Sequence, residues 1–381
     1  MSLYCEKCGN TDPRKFGYKN NAHYCRVCTT FKSDIEVIYK PLERRNLQPL
    51  LRYSLSKEQK EISSNLLIEY KSGHNSLVHA VCGAGKTEIV LEVITYCINN
   101  GLRAGFAIPR KDVVIEISER FKEIFPTINI ASIYGGNTKV LEADFVVLTT
   151  HQLFRYKNYF DLLVVDEIDA FPFEGSDILL HQLKRSLKGN YIYMSATPSE
   201  EVLKEFKDGN NQKFELFKRF HNHDLPVPKV IKEIKMLDYV ILIYKSYKFI
   251  KDRKPLFVFC PTIELCENVF NVLKFLKCSI DYVHSKRINR KEIITKFKKG
   301  GIQVLITTAV LERGVTFKDL QVIVFRADHP LYNSSNLIQI SGRVGRKIDA
   351  PNGEVLFICN EVTKDIKKCI SEIERANSSL Q

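Results

Sequence analysis

Apolar residues in this chain fall into two alternating patterns. Short uninterrupted runs rich in Val, Ile, Leu and Phe are separated by longer segments whose apolar positions recur at helical spacing. The first pattern is that of a strand buried on both faces, the second that of a helix with one buried face. Strands are predicted at Leu77 to Val81, Ala104 to Ile108, Ile130 to Tyr134, Phe145 to Thr149, Leu162 to Asp166 and Tyr191 to Ser195. A second series follows at Pro255 to Phe259, Ser279 to Val283, Val304 to Thr307, Gln321 to Phe325 and Gly353 to Ile358. Strands that alternate with helices imply parallel sheets with helices on both faces, because a parallel neighbour is reached through a crossover. From Glu200 to about Val230 the pattern lapses and Pro226 and Pro228 appear, which predicts a junction. The expected fold is therefore α/β, with two tandem parallel-sheet domains at 53–205 and 231–381 and a junction at 206–230. Ahead of them come a charged linker at 34–52, with Pro41 and Pro49, and a small cysteine-bearing module at 1–33.

The first predicted strand runs into Ala80-Val81-Cys82-Gly83-Ala84-Gly85-Lys86-Thr87, and a helix-patterned stretch from Glu88 to Ile98 follows. Small residues let successive backbone N–H groups curl around an anion, a Lys reaches the β and γ phosphates, and a hydroxyl holds Mg2+. The helix N-terminus adds its partial positive charge. Gly83, Ala84, Gly85, Lys86 and Thr87 are thus candidates for binding ATP and Mg2+, with Ala80 where the commoner pattern has its first Gly. Further along, Leu162 to Asp166 leads into Asp166-Glu167-Ile168-Asp169. A phosphate loop coupled to an apolar strand ending in Asp-Glu implies an ATPase.

Charge and cysteine content extend this picture. The net charge is +13 and the pI about 9.1, which suits a polyanionic partner such as nucleic acid, although a merely basic surface gives the same totals. Met1 to Asn10 is polar and no apolar run is long enough to cross a bilayer, so a cytoplasmic chain without a transmembrane segment is expected. Among 11 cysteines, Cys5-x-x-Cys8 and Cys25-x-x-Cys28 have the spacing of a four-thiolate Zn2+ ribbon. Two disulfides would need an oxidising compartment, against which the expected location argues. His23 then remains a surface hairpin residue. Cys82, inside the phosphate loop, and Cys97, Cys260, Cys266, Cys278, Cys359 and Cys369 read as small core hydrophobes. Lys7, Arg14, Lys15, Lys19 and Arg26, interleaved with Phe16, Tyr18 and Tyr24, fit phosphate contact and stacking, or a solvated hairpin equally well.

The second α/β domain lacks a phosphate loop and carries Gln339-Ile340-Ser341-Gly342-Arg343-Val344-Gly345-Arg346. Two arginines three apart on a predicted helix project from one face, and each guanidinium offers forked donors to a phosphate. If that face turns toward the ATP of the first domain, Arg343 and Arg346 act as arginine fingers.

In this order the motifs resemble those of the superfamily 2 helicases along nearly all of residues 50 to 360. The resemblance implies two RecA-like domains and a nucleic-acid-stimulated ATPase. By it, Gln59 of Leu55-Ser56-Lys57-Glu58-Gln59 reads adenine, Lys86 and Thr87 hold phosphate and Mg2+, Asp166 holds the metal, and Glu167 activates the attacking water. Ser195-Ala196-Thr197 links nucleotide state to domain movement; Ile168 departs from the usual Ala, whereas Asp169 keeps the final acid. Loops at predicted strand ends supply the nucleic-acid side: Arg110, Gly135, Gly136, Thr149 and Thr150 in the first domain, and Pro261, Thr262, His284, Thr307 and Thr308 in the second. Glu312-Arg313-Gly314 completes that set. Hydroxyls, Gly N–H groups and Arg contact phosphate oxygens without reading bases, so sequence-independent binding of a single strand is expected.

Within the superfamily, Asp166-Glu167-Ile168-Asp169-Ala170-Phe171-Pro172-Phe173 and the cysteine ribbon ahead of the motor are similar to the ComFA family of competence ATPases. That resemblance implies a cytoplasmic ATPase, stimulated by single-stranded DNA, that assists uptake of transforming DNA through a membrane channel. It also implies ComFC-like and DprA-like protein partners. A PriA-like or DEAD-like DNA or RNA helicase is the alternative, sharing the flavour of Ile108-Pro109-Arg110 and Glu312-Arg313-Gly314; the position of the ribbon favours the first.

Overall fold

Alternating buried runs and amphipathic segments are realised as two parallel sheets in a computed structural model that describes residues 3–19, 21–31, 35–51, 53–81, 83–169, 173, 175–207, 209, 211–219, 223–233, 237–308, 317–347 and 349–378. Cys82, Ala170-Phe171-Pro172 and Glu312-Arg313-Gly314 lie outside the described residues. The chain divides into two units, Met1–Ala80 with Gly85–Leu216, and Val81–Ala84 with Phe217–Gln381.

The first unit opens with a hairpin in which β1 (Phe16–Lys19) pairs antiparallel with β2 (Ala22–Cys25). Asn21, with φ 58°, takes the left-handed turn conformation that Asn tolerates. A seven-stranded sheet follows, built from β3 (Ser76–Ala80), β4 (Ala104–Ile108), β5 (Ile130–Ile133), β6 (Phe145–Thr149), β7 (Phe160–Asp166), β8 (Leu187–Ser195) and β9 (Gln212–Leu216). Its order is β5-β6-β4-β7-β8-β3-β9, all neighbours parallel. The helices are α1 (Lys57–Lys71), α2 (Lys86–Ile89), α3 (Leu91–Asn99), α4 (Lys111–Ile124), α5 (Asp177–Ser186) and α6 (Glu200–Glu205). Every residue of β4 and β6 is buried, which is why these strands read as unbroken apolar runs. Helix α1 starts at a capping box: Ser56 Oγ accepts from Gln59 N–H at 3.2 Å, and Gln59 Oε1 accepts from Ser56 N–H at 2.9 Å.

The second unit holds β10 (Lys229–Lys232), β11 (Leu256–Cys260), β12 (Ile280–Val283), β13 (Val304–Thr308), β14 (Gln321–Phe325) and β15 (Val355–Cys359). They form a parallel sheet in the order β10-β15-β14-β11-β13-β12. Its helices are α7 (Asp238–Lys251), α8 (Ile263–Leu273), α9 (Arg290–Lys298), α10 (Ser334–Ser341) and α11 (Lys364–Ser378).

Two departures from the sequence reading have physical causes. Strands β9 and β10 fall in the stretch expected to lack pattern; each is a sheet edge, half solvated, so neither carries an apolar run. The segment expected to be a connector is an extended strap bound to the first unit. Val37, Leu42 and Leu50 donate their N–H groups to the carbonyls of Arg155, Gly101 and Ile124 at 2.8, 2.9 and 2.9 Å. Arg45 pairs with Asp144 at 2.8 Å and Tyr39 O–H donates to Asp161 at 3.0 Å, near the amino ends of β6 and β7.

Candidate nucleotide and nucleic-acid site

In the first sheet β7, β8 and β3 are neighbours, so their carboxyl ends, Asp166, Ser195 and Ala80, stand side by side. The chain leaving β3 turns through Gly83 (φ 86°) and Gly85 (φ 79°), left-handed positions where a side chain is strained. Ala84 is fully buried between them. Helix α2 begins at Lys86 directly after this turn, leaving its first N–H groups at the loop. Lys86 Nζ lies 3.7 Å from Asp166 Oδ1, and Thr87 is buried beside it in sequence. The cation, hydroxyl and carboxylate expected to hold phosphate and Mg2+ are thus gathered at one strand edge.

Glu167 leaves β7 with φ 58°, a left-handed conformation for a non-Gly residue, fixed by N–H donation to Met194 O at 2.9 Å and Asp166 Oδ1 at 3.0 Å. The Ser-Ala-Thr motif is bonded to the acidic motif: Thr197 Oγ1 donates to Asp169 Oδ2 at 2.9 Å, and Thr197 N–H to Ser195 Oγ at 2.8 Å. Gln59 is buried against the phosphate loop, its Nε2 only 2.5 Å from where a Cβ on Gly85 would stand. Its Oε1 serves the capping box, which the motif alone did not reveal. His79, on β3, lies 3.6 Å from Glu215; burial pushes its pKa down, and Glu215 offsets part of that.

On the other flank β5, β6 and β4 are neighbours, and the nucleic-acid candidates follow their carboxyl ends. Gly135 and Gly136 face open space, Gly136 with φ 92°. Arg110 precedes α4, and the next residue, Lys111, lies 4.7 Å over the ring of Tyr134, joining the tips of β4 and β5. Thr149 and Thr150 are buried, and Thr150 Oγ1 meets no hydrogen-bond partner among the described residues. In the second unit β11, β13 and β12 are adjacent, which brings Pro261, Thr262, Thr307, Thr308 and His284 to one edge. Their polar groups are partly engaged: Thr262 Oγ1 accepts from Leu265 N–H at 3.1 Å, Thr307 Oγ1 donates to Thr308 O at 2.9 Å, and buried His284 lies 3.3 Å from Glu267.

Arg343 and Arg346 do not project from a helix face as expected. Helix α10 ends at Ser341, and both arginines belong to the turn beyond it, where Gly345 has φ 67°. A helix cannot continue through a left-handed residue. Arg343 is buried with its guanidinium 5.9 Å from the Phe259 ring, and Arg346 Nε donates to Gly342 O at 2.8 Å.

The four expected zinc ligands converge. Sγ atoms of Cys5 and Cys28 are 3.5 Å apart, those of Cys8 and Cys25 3.6 Å, and all four lie within 4.8 Å of one another. A tetrahedral Zn2+ with bonds of about 2.3 Å separates its sulfurs by about 3.8 Å, whereas a disulfide needs about 2.05 Å. The set therefore fits Zn2+ and not disulfides. Burial pushes the Cys8 thiol up to about 12 and opposes ionisation of Cys25 too, but N–H groups of Cys28 and Val27 bring Cys25 below its ordinary value. The ribbon is seated on the first unit through His181, whose Nε2–H donates to Glu6 O at 3.0 Å, and through stacking of Phe31 on Phe154 at 5.0 Å. His181, Phe31 and Phe154 belong to no motif, so sequence reasoning passed over them.

Comparison with known proteins agrees with this geometry. A family model described as DEAD/DEAH box helicase matches residues 56–206, and one described as helicase conserved C-terminal domain matches 234–347. Among solved structures, S. cerevisiae Dbp5 bound to RNA and ADP BeF3 superposes with a TM-score of 0.65 at 19% identity, covering 85% of this chain and 88% of that one. Mycobacterium smegmatis helicase Lhr bound to ssDNA and AMP-PNP gives 0.61 at 17% identity, covering 85% of this chain and 50% of that one. These likenesses establish two RecA-like domains, and the helicase domains imply use of ATP and Mg2+. No helix among the described residues is long and apolar enough to cross a membrane. Competence protein ComFA of Bacillus subtilis is 31% identical over 99% of this chain and 87% of its own length. That of Streptococcus pneumoniae is 37% identical over 98% of this chain and 90% of its own length. The chain belongs to the ComFA family and is an ATPase of the superfamily 2 helicase type.

Proposed function

We propose that this protein uses ATP hydrolysis to move along single-stranded DNA during uptake of transforming DNA in competence. The observation that carries this reading is the strand order of the first sheet. It puts the phosphate loop, Asp166 and Ser195 on one flank of the carboxyl edge, and Arg110, Gly135, Gly136, Thr149 and Thr150 on the adjoining flank. A change at the phosphate is then one strand away from the backbone-gripping loops, since β4 and β7 are direct neighbours. In this reading Lys86, Thr87 and Asp166 hold Mg-ATP, Gln59 meets the adenine, Glu167 orients water, and Arg343 and Arg346 stabilise charge on the transferring phosphoryl group. Pro261, Thr262, His284, Thr307 and Thr308 form the second backbone grip. Cys5, Cys8, Cys25 and Cys28 hold Zn2+. Membership of the ComFA family supports the competence role, cytoplasmic work beside a membrane DNA channel, and ComFC-like and DprA-like partners.

The test compares hydrolysis in the presence of single-stranded DNA, duplex DNA and RNA, with Lys86→Ala as control. Stimulation is expected chiefly by the DNA single strand, and Lys86→Ala should abolish hydrolysis while retaining strand binding. Equal or stronger stimulation by RNA would transfer the assignment to an RNA helicase, and no stimulation by any polynucleotide would end it.

A further inference from the structure

Arg219 follows β9 in a stretch without any motif, yet only 2% of it is exposed. Its guanidinium reaches the turn beyond α10: Nη1 donates to the carbonyls of Val344 and Gly345, each at 2.8 Å, and Nη2 to Gly342 O at 3.4 Å. Gly342 O also accepts from Arg346 Nε at 2.8 Å, so the two arginines share one acceptor. These oxygens lie at and just past the carboxyl end of α10, where backbone carbonyls lack helical donors and partial negative charge collects. The turn is tight as well as polar. A Cβ on Gly345 would stand 2.1 Å from Pro351 O and 3.0 Å from Arg219 Nη1. One side chain, more than a hundred residues away in sequence, thus shapes the backbone from which Arg343 and Arg346 depart.

We infer that Arg219 is a positioning residue for ATP hydrolysis, holding the 342–345 turn so that Arg343 and Arg346 point in the directions the reaction requires. The inference rests on the reading of those two arginines as the groups that stabilise the transferring phosphoryl. A planar fork suits the task because its nitrogens address separate carbonyls at once, whereas a lysine ammonium is a single point. Misplacing a catalytic group by about 1 Å costs about 10²-fold in rate, which sets the scale expected on loss of the brace.

The experiment uses the full chain with an oligo-deoxythymidine single strand as stimulant. Rates, KM for ATP, binding of a fluorescent ATP analogue and thermal unfolding are measured for Arg219→Ala, Arg219→Lys, Arg346→Ala and Arg219→Ala with Arg346→Ala. Arg219→Ala should lower kcat about 10- to 100-fold with KM and analogue binding within about threefold. Arg219→Lys should recover only part of the loss. The double variant should be slower than Arg346→Ala by less than the full factor lost in Arg219→Ala, because only Arg343 is then left for the brace to position. A slow Arg346→Ala beside a near-normal Arg219→Ala would overturn the inference and leave the arginine reading intact. An unchanged Arg346→Ala would remove that reading itself. Additive losses in the double variant, or a rate loss matched by loss of folded protein, would reduce Arg219 to general support and overturn the inference. Should the Ala variant not fold, full activity in a folded Arg219→Lys has the same force.

Discussion

Replacing Gly85 by Ala tests how tightly the phosphate loop and Gln59 are joined. Gly85 has φ 79°, and a Cβ there would stand 2.5 Å from Gln59 Nε2 and 3.5 Å from Glu88 Oε2. Holding a non-Gly residue in the left-handed region costs about 1–2 kcal/mol. Gln59 must also give way. It is 5% exposed and its Oε1 accepts from Ser56 N–H, so the displaced side chain leaves the capping box, at about 1 kcal/mol. The sum is about 2–3 kcal/mol of stability in the first unit. Urea unfolding without nucleotide, followed by a probe in that unit, reads the loss, and ATP affinity should fall with it. In a Gln59→Ala background the same substitution should cost only the backbone strain, leaving a coupling of about 1 kcal/mol in the double-mutant cycle. Stability within about 0.5 kcal/mol of the wild type, or strictly additive losses, would refute the reasoning.

The ribbon should contain one zinc per chain by atomic absorption, and Cys25→Ser with Cys28→Ser none; since Phe31 stacks on Phe154, the metal-free variant should also be cut faster by protease near the start of the chain. Unchanged zinc content would contradict the four-thiolate site. His79 should make the first unit sensitive to acid. Its pKa is lowered from 6.5 mainly by burial, so below that value the unfolded chain binds the extra proton; stability is full above about 6.5 and falls as pH drops toward the folded value. His79→Gln should flatten this decline, and parallel curves for the two proteins would count against it.

The parts of the fold visible in the sequence are those buried on both faces. Strand β4, five buried residues in a row, was legible to its boundaries, as was β6. Strands β9 and β10 were not, because an edge strand needs apolar residues on one side only: Gln212–Leu216 alternates and Lys229–Lys232 begins and ends in lysine. The strap at 35–51 was hidden for a related reason. It is held by backbone N–H groups and by Arg45 and Tyr39, and hydrogen bonds of the main chain leave no periodicity to detect.

The candidate site divides along the same line. Lys86, Thr87, Asp166 and Glu167 could be proposed from sequence because phosphate and Mg2+ demand particular groups at particular spacings. What holds them is not so constrained. The turn that carries Arg343 and Arg346 was read as a helix face because two glycines in a row of helix formers do not announce a left-handed break; Gly345 does so only when Pro351 O closes against it. Arg219 is further still from recognition, since nothing around it in the sequence marks which arginine reaches these three carbonyls, more than a hundred residues away. Groups proposed to touch the nucleotide therefore leave a signature in sequence, whereas the brace inferred for Arg219 leaves one only in its hydrogen bonds, and its donor comes from a stretch that carries no motif.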